Sequence, residues 1–358
     1  DARRCREAAT AALDAAQASG DDSALATAHI TCGMVAAMDG DQNGNAMHYE
    51  QAIRAATRAG DVLALMRVRN NNGLRLSEAG QFRAAVREFD EAIRLAELTG
   101  SPSSLALATA NRGVATFALG RLDEAVTDFG ASLAVCRRLG SRMASYPLLA
   151  SADLHRLRGN LELARATYEE AVTHSRAGSD RQSSVPSLAG LARSIVDDDP
   201  DRADALVAEA LDVDKGIAEA EVTLAAGWIA LIRGAPEAAA GWAERALAAA
   251  GARRQGPRMA EAIELAALAG PPEGRVARLA EAADLWRGME HEPGAAVNEY
   301  LRARLFGGPA GAAEHRLQLM AVRTADSRHA AGPLRWLAGQ QTPPSVRLRT
   351  LGGFELLR

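Results

Sequence analysis

Small and apolar residues return along this chain at a fixed interval. Gly73, Gly80, Ala85, Phe89 and Ala92 are answered forty positions later by Gly113, Gly120, Ala125, Phe129 and Ser132. An earlier copy reads Gly33, Gly40, Tyr49 and Ala52; later ones read Gly159, Ala164, Tyr168 and Ala171, then Gly227, Gly234, Ala239 and Ala246. A finer ruler divides the copies, because Gly20, Gly40, Gly60, Gly80, Gly100, Gly120 and Gly140 stand at intervals of twenty, and Gly159 and Gly178 continue the series. Glycine tolerates the left-handed conformation that ends a helix. Each one therefore predicts a stop after roughly five helical turns, and two helices make one unit. Small residues at fixed places let neighbouring helices approach, and the aromatic of the second helix fills the gap, so stacked units share one continuous core.

These residues resemble the tetratricopeptide repeat, in the longer-helix form found in peptide-sensing regulators, polarity adaptors and bacterial signal-transducing ATPases. The resemblance covers about residues 20 to 305, with a specific register between 30 and 175. It implies an all-α fold, a right-handed superhelix of antiparallel helix pairs. Residues 1–19 read as the remnant second helix of a truncated repeat, 20–180 as regular repeats, 181–325 as degenerate ones and 326–345 as a linker.

The pattern changes near the end. Pro343 and Pro344 interrupt the helical signal, and SVRLRTLGGFELLR alternates apolar and polar residues as a strand does. Residues Val346 to Leu357 resemble the opening strands of the winged-helix domain in actinobacterial regulators of the SARP or BTAD type. That resemblance implies a winged-helix domain beginning at 346–358, with DNA contacts supplied by sequence beyond Arg358, and a chain that is a fragment of a larger regulator.

Composition narrows the chemistry. Hydrophobic residues make up 48% of the 358 residues and aromatic residues only 4%, which favours close-packed helices over sheets. The 41 Lys+Arg against 45 Asp+Glu give a formal charge of −4, so the body offers no general basic field for nucleic acid. Lys215 is the single lysine, which leaves no phosphate loop or Schiff-base site elsewhere. Cys5, Cys32 and Cys136 have no CxxC spacing and are too few for a disulfide framework. With no secretory signal and no bilayer-length apolar run, the expected setting is cytoplasmic.

In such a superhelix the first helix of each pair lines the concave face. Asn71 and Asn111 occupy equivalent positions two residues before Gly73 and Gly113. The resemblance implies a carboxamide ladder there, and an amide that both donates and accepts suits a peptide backbone. The same arc should include Arg67, Asn70, Ser77, Leu107, Tyr146 and Arg156, giving a polar groove with an apolar floor; the competing roles for the asparagines are capping of neighbouring backbone or simply facing solvent. Asp39, Asp41, Asn43, Gly44 and Glu50, with the carbonyl of Asn45, match the calcium loop D-x-[DN]-x-[DN]-G-x5-E. The same residues suit a plain turn between helices, and no resident metal or cofactor is expected. Asp197, Asp198 and Asp199 precede Pro200, an arrangement suited to capping a helix. The seven histidines show no ligand spacing, and no nucleophile elbow, dinucleotide fingerprint or catalytic cysteine signature is present. The expected role is therefore non-enzymatic. The array should hold a protein, a peptide, a small effector or another part of the same polypeptide, either as the sensor of a transcriptional regulator or as a free-standing adaptor, with its oligomeric state open.

Overall fold

A computed structural model describes residues 2–213, 218–324, 332–340, 347–349 and 355–357. A lone helix, α1 (Ala2–Ser19), precedes a run of antiparallel pairs: α2 (Asp22–Asp39) with α3 (Gln42–Ala59), α4 (Val62–Glu78) with α5 (Phe82–Leu98), and α6 (Pro102–Ala118) with α7 (Leu122–Leu139). Next come α8 (Ser145–Arg158) with α9 (Leu161–Gly178), and α10 (Arg181–Ile195) with α11 (Pro200–Val213). The run closes with α12 (Glu219–Ile232) and α13 (Pro236–Arg253), α14 (Gly256–Ala269) and α15 (Pro272–Gly288), and α16 (Glu292–Phe306) and α17 (Gly311–Leu319). The fold is an all-α helical repeat of the tetratricopeptide kind.

The glycine ruler works by backbone conformation. Gly40, Gly60, Gly80, Gly100, Gly120 and Gly140 all have positive φ. The following amide returns to the helix each time, as in Gln81 N to Leu76 O at 2.8 Å and Ser101 N to Ala96 O at 2.9 Å, which satisfies carbonyls that the helix end would orphan. One expected stop moves: α9 runs through Gly178, and Ser179 takes the left-handed position at φ 53. Within each of the first three pairs a second glycine, Gly33, Gly73 or Gly113, makes room for the aromatic Tyr49, Phe89 or Phe129, whereas Tyr168 packs on Gly190 of the following pair. A β-carbon at Gly73 would lie 2.5 Å from Phe89 Cε1, and one at Gly113 would lie 2.5 Å from Phe129 Cε1.

The array coils far enough to stack on itself. Turns that end α2, α4, α6 and α8 rest on turns of the last three pairs. Arg253 donates to Ala37 O and Met38 O at 3.2 and 3.1 Å, Gln42 Nε2 donates to Arg253 O at 2.9 Å, and Arg158 Nε donates to Met320 O at 3.1 Å. Between them Arg83 pairs with Glu290, and Met289 occupies the space beside Gly80. Glycines of the opposite turns, Gly20, Gly60, Gly100 and Gly140, face open space.

Within the span expected as a linker, residues 332–339 form helix α18 (Gly332–Gly339). Leu334, Trp336 and Leu337 join the main core, and Arg335 holds Asp197 through two bonds of 2.8 and 2.7 Å. Residues 325–331 and 341–346 lie outside the described residues. Of the expected winged-helix start, two strands are described, β1 (Arg347–Arg349) and β2 (Glu355–Leu357), which pair antiparallel with Leu348 opposite Leu356.

Candidate functional site on the inner face of the coil

Helix α4 shows which face is free. Gly73 and Leu76 are buried against the second helices of the pairs, whereas Leu63, Arg67, Leu74 and Glu78, at helical spacing on the opposite side, are exposed. The forty-residue repeat extends that stripe sideways. Met34, Leu74 and Val114 hold the same register in α2, α4 and α6, and each leaves 41–47% of its surface in solvent, with Met38 at 51%. Single exposed apolar residues are ordinary, but Met34, Leu74 and Val114 place one at the equivalent position of three successive first helices.

Polar groups flank it. Asn111 Nδ2 donates to Asn70 Oδ1 at 3.0 Å, and both side chains are buried; this bond joins α4 to α6. Asn71 is half-buried and reaches the Tyr49 hydroxyl. Leu107 is half-buried on α6, and Ser77 Oγ is shielded from solvent with no hydrogen-bond partner among the described residues. Arg67, Asn70, Asn71 and Ser77 thus share α4, and Asn70 links it to Asn111 of α6, the helix that also carries Leu107. Tyr146 and Arg156 lie towards opposite ends of α8, where Tyr146 meets Gln182 at 3.4 Å. The groove residues expected from sequence therefore fall into two groups, and Arg156 belongs to a different cluster.

That cluster is the feature sequence reading missed. Four successive first helices bring together Asp153 and Arg156 of α8, Arg193 of α10, Glu221 of α12, and Arg258 and Glu261 of α14. Arg156 bonds Asp153 at 3.1 Å and the Tyr168 hydroxyl at 3.0 Å, and that hydroxyl donates to Asp153 at 2.5 Å. Arg193 meets Glu261 at 2.9 Å, Arg258 holds Glu221, and Trp228 Nε1 donates to Glu261 at 2.9 Å. Burial alone would push the Glu261 carboxyl up, but Arg193, Arg258 and Arg156 pull it down to about 2. Burial holds Glu221 above the ordinary carboxylate range despite Arg258. The network stays in reach of solvent, because Arg258 and Asp153 are 39% and 33% exposed.

Behind it, Glu264 accepts from Trp286 Nε1 at 2.9 Å and Asn298 Nδ2 at 2.8 Å, and burial raises its carboxyl to about 8. His291 is lowered to about 4 by burial, and its Nδ1 accepts from Gly294 N at 3.0 Å as the cap of α16. Replacing buried ion pairs by apolar residues is often neutral or stabilising, so fold stability alone gives little reason for six charges on this face.

The calcium pattern does not fold as a loop. Helix α3 begins at Gln42, so Asn43, Gly44, Asn45 and Glu50 are helical and their side chains diverge. Asp41 caps that helix through Gly44 N at 2.9 Å, Asn43 takes Arg254, Asn45 donates to Gly33 O, Asp39 pairs with Arg6 and Glu50 pairs with Arg54. The acidic run has separate structural duties: Asp199 accepts from Arg202 N at 3.1 Å, while Asp198 and Asp197 hold Arg165 and Arg335. Among the described residues no helix is long and apolar enough to cross a membrane.

No family model and no curated protein matches the chain. Among solved structures, the chain is similar to the Rap conjugation gene regulator of plasmid pLS20 in complex with the Phr* peptide, at 14% identity over 84% of this chain and 73% of that one, with a TM-score of 0.48. It is also similar to the apo form of the quorum sensor NprR from B. thuringiensis, at 15% identity over 82% of this chain and 85% of that one, with a TM-score of 0.45. At these values the likeness is to a coil of helices in general and carries nothing about a site.

Proposed function

We propose that this array is a regulatory interaction scaffold that holds a protein or peptide segment on the inner face of its coil. The observation that carries the reading is the exposed row Met34, Leu74 and Val114, repeated in register on the face turned away from the second helices. Exposed apolar area on this scale is unfavourable in water at ~25 cal/mol per Å², and a bound segment would remove it. The charge network of α8, α10, α12 and α14 supplies a specific polar continuation of the same face.

In the finer reading, the scaffold is the sensor of a transcriptional regulator in a cytoplasmic setting, with DNA contacts made by a following winged-helix domain. The alternation of residues 346–357 and the pairing of β1 with β2 support that reading. Ligand and segment would bias the regulator only to the extent that they prefer one state of the array.

The test is selection of binders from a random peptide library against the whole chain, followed by Leu74→Asp and Val114→Asp. The reading expects selected peptides to lose binding to both variants and to keep it with Leu163→Asp on α9, a still more exposed control outside the row. Binders indifferent to Leu74 and Val114 would overturn it.

A further inference from the structure

Two charges on the exposed stripe of α4 stand without an ion pair or hydrogen bond among the described residues: Arg67 and Glu78. Asp61, a carboxylate that feels the Arg67 charge, is engaged by Ala64 N at 2.9 Å and by the Ser23 hydroxyl. The guanidiniums facing Glu78 belong to Arg253, which donates to Ala37 O and Met38 O, and Arg258, which holds Glu221 and Glu261. Glu78 is exposed by area, yet the surrounding walls desolvate its carboxyl, so it faces a concave space and not open solvent.

The two charges bracket the apolar row. Eleven residues of helix separate Arg67 from Glu78, about 16 Å at 1.5 Å per residue. An extended chain covers that distance in about five residues at ~3.3 Å each. Leu74 lies four residues before Glu78, about 6 Å away or roughly two extended residues, with Met34 and Val114 to either side. Asn71 sits between Arg67 and Leu74 and presents the one side-chain type that answers both halves of a peptide group.

We propose that this stripe takes an extended peptide segment with a basic side chain against Glu78, an apolar side chain on Leu74 and an acidic side chain against Arg67. The inference rests on the reading of the inner face as a binding surface and adds the charge order of the partner to it. Opposite charges at the two ends select partners chiefly by penalising like charge.

The test uses the whole chain and blocked, fluorescently labelled hexapeptides read by polarisation at low salt. Wild type is expected to bind lysine-alanine-leucine-alanine-alanine-glutamate. Arg67→Glu should weaken that peptide several-fold, because an attraction at an exposed site is replaced by a like-charge contact, and should gain the version ending in lysine. Glu78→Lys should lose the first peptide and gain the version that begins with glutamate. Arg67 is exposed, so circular dichroism and the unfolding midpoint of Arg67→Glu should match wild type; Glu78→Lys places a cation beside Arg253 and Arg258, so Glu78→Gln, which should also weaken the first peptide without that repulsion, is measured beside it. Unchanged affinities in Arg67→Glu and Glu78→Lys, or no gain by the matching peptides, would overturn the charge order. If library-selected peptides still depend on Leu74 in that case, the binding face stands and only its polarity is wrong; if they do not, the face itself fails.

Discussion

The thioether of Met289 fills the place where Gly80 has no side chain, and a β-carbon on Gly80 would run into its sulfur. A glycine of the second full repeat and a methionine near the seventh helix pair are thereby packed as neighbours, and the coil closes there.

Gly80 and Gly100 separate two roles that look alike in sequence. Both have positive φ, but nothing lies within reach of a β-carbon on Gly100. Gly100→Ala should cost the left-handed penalty alone, about 1–2 kcal/mol. Gly80→Ala should cost a further 1–3 kcal/mol, roughly, for overpacking and should loosen the coil. Denaturant unfolding and small-angle scattering of the two variants check both statements.

Gly73→Ala should also be strongly destabilising, because Phe89 is fully buried and cannot retreat from the added methyl. An overpacking cost of about 1–3 kcal/mol is expected, and Gly73→Ala with Phe89→Leu should recover part of it. Unfolding midpoints of the single and double variants give the comparison.

Asn111→Ala leaves Asn70 Oδ1 buried without its donor, so a loss of about 1–3 kcal/mol is expected. Removing both carboxamides together should cost less than the sum of the two single changes. A double-mutant cycle by chemical denaturation measures that coupling.

Two buried groups set opposite pH limbs. His291, lowered to about 4, stabilises fully above the ordinary imidazole range, and that contribution is lost as pH falls from 6.5 through about 4. Glu264, raised to about 8, binds its proton more tightly when folded, so its contribution is full below 4.5 and is lost as pH rises through about 8. Glu264→Gln should therefore flatten the alkaline limb of the unfolding midpoint, and His291→Asn should flatten the acid limb while keeping a cap for α16. Thermal scans across pH read both limbs.

The helical ruler and the aromatic beneath each small glycine were legible because they depend on local conformation and a fixed offset. Gly40, Gly80 and Gly120 were read only as stops; their second role, admitting the opposite limb of the coil, depends on contacts such as Met289 and Glu292 that no forty-residue offset encodes. Asn70 and Asn111 were both read as groove residues, but the bond between them joins two helices whose mutual facing the spacing alone did not determine. The charge network was hidden because Asp153, Arg193, Glu221 and Glu261 come from repeats whose register drifts, so no common position marks them. The calcium pattern matched in residue type and failed in backbone: Asp41 caps α3 early, and the next donors turn away around the helix.

The most direct measurement places a photo-crosslinking amino acid at Leu74, and separately at Leu163, in the whole chain presented with a library-selected peptide. Crosslinking at Leu74 and none at Leu163 is the predicted result. Efficient capture at Leu163 with none at Leu74 would contradict the assignment of the binding face.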